Sequence, residues 1–132
     1  MRIISLLICC AVAAGPTVIG GVPFVAQETS LCGPAALSSV MAFYGTAAPQ
    51  REIAGAAYSE ALRGALITDL ERYARERGFA AILAQGTIAE LKGFIGEGRP
   101  VIALVDFGGW IISRPHYLVL YGFDDEGFIA HS

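Results

Sequence analysis

Apolar and polar positions along this chain fall into three regimes. The first is a short apolar block from Ile3 to Ala14, preceded by one cation at Arg2; no charged residue appears again until after Gln27. The second regime is helical. Pro34 suits a first helical turn, and Ala35 through Met41 follow with no breaker until Gly45, which predicts a helix. Pro49 opens a second short helix that ends between Tyr58 and Ala61. A third runs from Ile67 to about Arg77, with Ile67, Leu70, Tyr73 and Ala74 on one face, a charged opposite face, and Gly78 as its stop. Phe79 to Leu83 reads as a short strand. Thr87-Ile88-Ala89-Glu90 is a capping box for a fourth helix carrying Leu91, Phe94 and Ile95, closed by Gly96 and Gly98.

Beyond Pro100 the regime is β. Val101 to Phe107 is apolar enough for a central strand, and Gly108-Gly109-Trp110 breaks it. His116 to Phe123 is a second strand, and Asp124-Asp125-Glu126-Gly127 is a hairpin signal leading into Phe128 to His131. Helices followed by an antiparallel sheet make an α+β fold. At 132 residues the chain suits one compact domain.

The N-terminal block changes how much of the chain belongs to that domain. Gly15, Pro16, Gly20 and Gly21 interrupt the ~20 apolar residues that a membrane-spanning helix needs. Val12-x-Ala14 is a small-residue cleavage signal, so 1–14 is expected to be a secretory signal peptide, 22–132 the folded domain, and the protein exported, with the apolar segment as its means of any membrane association. Cys9 and Cys10 lack the small preceding residue that lipoprotein processing requires. Once the leader is removed Cys32 is the sole cysteine, which excludes an internal disulfide and marks a candidate reactive thiol.

Charge narrows the partners. The formal charge is −3 and the arginines are scattered, so no stripe exists to neutralise a phosphate backbone, and nucleic acid is not expected. Two histidines and one mature cysteine lack the spacing of a zinc site, and neither Gly20-Gly21 nor Gly108-Gly109 sits in a phosphate-loop context; no cofactor is expected.

The candidate chemistry centres on Cys32. A thiol attacks a carbonyl as thiolate, so it needs a base or the positive end of a helix beside it. Cys32 opens the first helix, with Gly33 after it, where a backbone without Cβ would let a substrate chain approach the sulfur. Gln27 could present a side-chain N–H to a tetrahedral oxyanion. His116 heads a strand after Arg114-Pro115, where it can face a cleft. The bland readings are a small core cysteine, a loop glutamine and a strand-edge histidine bonded to backbone. His131 is the other histidine, but the apolar strand following His116 fits a motif better.

That motif is a family likeness. Val22 to Gln27 with Leu31-Cys32-Gly33-Pro34-Ala35-Ala36-Leu37, then Gly98 to Leu104 and His116 to Asp124, resembles the bacteriocin-processing, double-glycine cysteine peptidases. The resemblance implies a papain-like fold, N-terminal helices on a C-terminal antiparallel sheet, and a cysteine peptidase with Cys32 as nucleophile, His116 as base and acid, and Gln27 as oxyanion donor. It implies a peptide or protein substrate, cleavage after Gly-Gly in leader peptides, and a separately encoded exporter as partner, since this chain carries no nucleotide motif. The family's aspartate that orients the histidine corresponds here to Ser132; Ser132, Asp106 or no residue could fill that role. Three alternatives to a leader peptidase stay open: a catalytically degenerate peptide-binding relative, to which the missing aspartate points; a Cys–His amide hydrolase or acyltransferase with another substrate; and a truncated product, since the sheet ends abruptly at Ser132.

Overall fold

The computed structural model describes residues 15–132; the expected leader, with Cys9 and Cys10, lies outside the described residues. The order is β1 (Thr17–Val18), α1 (Cys32–Phe43), α2 (Gln50–Ala57), β2 (Tyr58–Ser59), β3 (Gly64–Ala65), α3 (Ile67–Glu76), α4 (Ile88–Gly96), β4 (Val101–Asp106), β5 (Pro115–Phe123) and β6 (Phe128–His131). Helices pack on an antiparallel sheet, so the α+β expectation holds.

Local chemistry explains most boundaries. The α4 capping box is present in full: the Thr87 hydroxyl accepts from Glu90 N at 3.2 Å, and the Glu90 carboxylate accepts from Thr87 N at 2.8 Å. Helix α3 ends where Gly78 turns left-handed at φ 87° and Phe79 N donates to Ala74 O. Gly45, at φ 83°, ends α1 in the same way. The Asp124 carboxylate accepts from Glu126 N and Gly127 N and so shapes the β5–β6 hairpin.

Strand β5 is the axis of the sheet. It pairs with β4 from Pro115 to Leu120 and with β1 at Gly122 and Phe123, while β6 runs along its other edge from Val119 to Phe123. Residues that pair on both sides fix this layout, which puts β4 on an edge instead of in the centre. Its apolar run is explained by cover on its faces: Ile102 packs against the α1 side and Val101 and Ala103 against the α4 side. A bulge lies between Leu120 and Gly122, and at Gly122 a Cβ would come within 2.9 Å of Thr17 O, so only glycine lets β1 approach.

The sheet separates two apolar clusters. On one face Ala36, Leu37 and Met41 of α1 meet Ile53, Leu70, Tyr73, Tyr117 and Val119. On the other, Ile95 of α4 meets Ile19 and Leu120. Alternation along β5 sends Tyr117 and Val119 one way and Leu118 and Leu120 the other.

Three expectations about elements need correction. Helix α2 stops at Ala57, because Tyr58–Ser59 pairs with Gly64–Ala65 across a turn in which Arg63 takes φ 49°. Residues 79–83 form no strand: Ala81 O is taken instead by the Arg75 guanidinium, at 2.7 and 3.1 Å. Thr17–Val18, between the expected leader and the expected domain, adds a strand. Among the described residues no helix is long and apolar enough to cross a membrane.

Candidate functional site

The N-terminus of α1 carries no side-chain cap, and its first intrahelical bond runs from Ala35 N to Leu31 O at 2.8 Å. The N–H groups of Cys32 and Gly33 therefore face forward with the positive end of the helix dipole behind them. Cys32 is half-buried and free. Beside it lies a small pocket lined by Phe24, Gln27, Cys32, Tyr117, His131 and Ser132 among others.

The loop that brings in Gln27 is fixed from behind. The Ser39 hydroxyl, buried in α1, donates to Pro23 O. The Gln50 side chain donates to Ala26 O at 2.8 Å and accepts from Glu28 N at 3.0 Å, gripping the backbone on both sides of Gln27. Arg51 pairs with Glu28 at 2.8 Å. Gln27 itself remains exposed at the pocket rim.

Gly33 has a role different from the one expected. A Cβ there would meet Leu70 Cδ1 at 3.0 Å and the Tyr117 ring at 3.1 Å, so the position is filled by packing and offers no space to a substrate. Tyr117 is thereby pressed onto the start of α1, and its hydroxyl donates to Ala65 O at 2.8 Å. Burial, then the nearby negative charges of Cys32 as thiolate and of Asp69, push the Tyr117 phenol up to about 12.

The two histidines lie in different surroundings. His131, on β6, lines the pocket with Cys32 and Gln27. Its Nε2 is 3.0 Å from Val22 O, and its ring stacks on Tyr121 with centroids 4.4 Å apart. His116 pairs with Val105 and precedes Tyr117, so alternation turns it to the α4 face of β5, outside that pocket. Its ring lies 6.2 Å from Phe107, at the base of the β4–β5 loop.

Asp106 serves that loop. Its carboxylate accepts from Ser113 Oγ at 2.6 Å, Arg114 N at 2.6 Å and Gly108 N at 2.7 Å. These bonds, the Ser113 hydroxyl first, hold the carboxyl below its ordinary range. Above it Trp110, Ile111 and Ile112 are exposed. Ser132 lines the Cys32 pocket, and no carboxylate side chain is among the lining residues. Among the described residues no group of three or more His, Cys, Asp or Glu side chains could hold a metal. Sequence reasoning missed Gln50, whose bonds to Ala26 O and Glu28 N span more than twenty residues and leave no local signal.

Compared with known proteins, residues 19–131 match the model of the Peptidase_C39 like family. Neither a curated protein nor a solved structure matches the chain.

Proposed function

The chain belongs to the Peptidase_C39 like family and has its papain-like α+β fold, and from that premise we propose that it is a thiol-dependent peptidase with Cys32 as its nucleophile. The observation that supports the reading is the opening of an uncapped helix N-terminus, at Cys32, onto a pocket that Gln27 also lines. The thiolate attacks a peptide carbonyl, and negative charge moves onto the carbonyl oxygen. The Cys32 N–H and the Gln27 amide are the donors suited to that oxygen. A histidine protonates the leaving amine, and water then resolves the thioester with the same imidazole as base. The family motif favours His116 for this work, whereas the pocket favours His131. Leader peptides cut after Gly-Gly are the substrate that the motif favours, and an exporter encoded elsewhere is the corresponding partner.

A second reading, a peptide-binding relative without turnover, is favoured by the absence of a carboxylate side chain among the described residues that line the pocket. Incubating the purified protein and its Cys32→Ala variant with a library of Gly-Gly-containing peptides separates the two. The peptidase reading expects cleavage that disappears in the variant. Cleavage that survives Cys32→Ala rejects the mechanism, and binding without cleavage by the unaltered protein establishes the second reading.

A further inference from the structure

We propose that the free edge of β4 docks a second copy of this chain, the two β4 strands pairing antiparallel about a two-fold axis. The proposal is independent of the peptidase reading. Strand β4 pairs with β5 alone, and among the described residues no strand lies along its other edge. The register tells which groups that edge presents. Asp106 faces Pro115, so Phe107 continues the ladder opposite Arg114, and its N–H donates to Arg114 O at 3.0 Å. Alternation then turns the N–H and C=O of Val101, Ala103 and Val105 toward β5, and those of Ile102, Leu104 and Asp106 outward. No backbone bond from another described segment reaches those three residues.

Natural sheets blunt such an edge with lysine, an internal proline or a bulge, because unpaired N–H and C=O groups recruit another strand. Strand β4 has none of these. Val101 to Val105 is uncharged and its register with β5 is unbroken, while Pro100 stands before the strand and only limits where a ladder can begin.

The pattern suits its own copy. Pairing Leu104 with Leu104 of the second copy sets Ile102 opposite Asp106 at both ends, so every outward residue finds a partner, as a two-fold interface requires. The two Asp106 carboxylates then lie at opposite ends of the ladder, roughly 13 Å apart along the strands, beyond the ~10 Å reach of a screened charge. Area favours the same partner. Beyond Asp106 the chain leads into Phe107, Trp110, Ile111 and Ile112, all exposed, and Leu104 is exposed on the strand itself. In this register Phe107 falls opposite Val101 of the second copy, which brings the loop beside the turn at 97–100 and the exposed Phe94 before it. Two aromatic side chains of roughly 150–250 Å² each, three aliphatic ones and the strand edge together approach the ~800 Å² per partner that stable pairs bury. The pairing uses up both edges, so growth stops at the dimer.

The test is sedimentation velocity of the unaltered chain and of Leu104→Pro, with amide hydrogen exchange of the unaltered chain read by NMR. Proline at 104 removes an outward N–H and no bond to β5, since alternation makes Leu104 and Tyr117 a pair without hydrogen bonds. The expected result is a dimer with a Kd below about 100 μM, raised at least about tenfold in Leu104→Pro. The amides of Ile102, Leu104 and Asp106 should exchange at least about tenfold more slowly in the dimer than after dilution to monomer. A chain that stays monomeric, a mass beyond the dimer, or a Leu104→Pro variant that dimerises as the unaltered chain does overturns the proposal. If Leu104→Pro fails to fold, exchange decides: amides at these three positions that exchange as fast in the dimer as in the monomer overturn it.

Discussion

Gln50 holds the backbone on either side of Gln27, through Ala26 O and Glu28 N, so a side chain at the start of α2 sets the position of the pocket rim in front of α1. The same helix thus supports both the core, through Ile53, and the site.

Replacing Gln50 by Ala removes both bonds and frees the loop. Misplacing an oxyanion donor can cost up to about a hundredfold in rate. The expected outcome is a fall in kcat/KM of about ten- to a hundredfold for a cleaved peptide, with the Cys32 alkylation rate unchanged within about twofold, because that reaction develops no oxyanion.

Gly33→Ala places a methyl against Leu70 and the Tyr117 ring at distances tighter than ordinary packing. The expected destabilisation is about 1–3 kcal/mol, measurable by urea denaturation. A variant as stable as the parent would mean that Tyr117 is free to move away from α1.

The Tyr117 phenol should titrate well above the ordinary tyrosine range. Its folded pKa of about 12 lies above the ordinary phenol value of 10.0, so the stability linked to this phenol is complete below pH 10 and is lost as pH rises toward 12. Absorbance of tyrosinate near 295 nm should show one late step that merges with alkaline unfolding and is missing in Tyr117→Phe.

Glu52 accepts from Tyr73 Oη at 2.8 Å and pairs with Arg77 at 3.0 Å, and these bonds, the tyrosine's first, hold its carboxyl below the ordinary carboxylate range. A lowered folded pKa contributes stability above the unfolded pKa and loses it as pH falls through the folded one. The parent should therefore exceed Glu52→Gln in thermal stability at pH 7, with the gap closing below about pH 4.

The elements with their own local chemistry were legible in the sequence: the Thr87–Glu90 box, the breaker at Gly78 and the Asp124 turn each act within a few residues. Pairing between distant segments was not. Thr17–Val18 is a strand only because Gly122 admits it, and residues 79–83 lack a partner despite a strand-like composition. Cys32 and Gln27 stand out as candidates in the sequence through their spacing before a helix. The orientation of the histidines was hidden because β5 is apolar on both faces. A period of two cannot then tell which residues look toward α1, and a one-residue shift reverses the answer. Only the Val119–His131 and Val105–His116 registers fix it.

The position of β6 in the chain has a consequence for synthesis. Cys32 leaves the ribosome long before Phe128–His131, and β5 cannot be joined along that edge until the hairpin at Asp124 has been made. Throughout synthesis of the preceding elements Cys32 is without the wall that β6 supplies, so the pocket beside it is completed only when that strand docks.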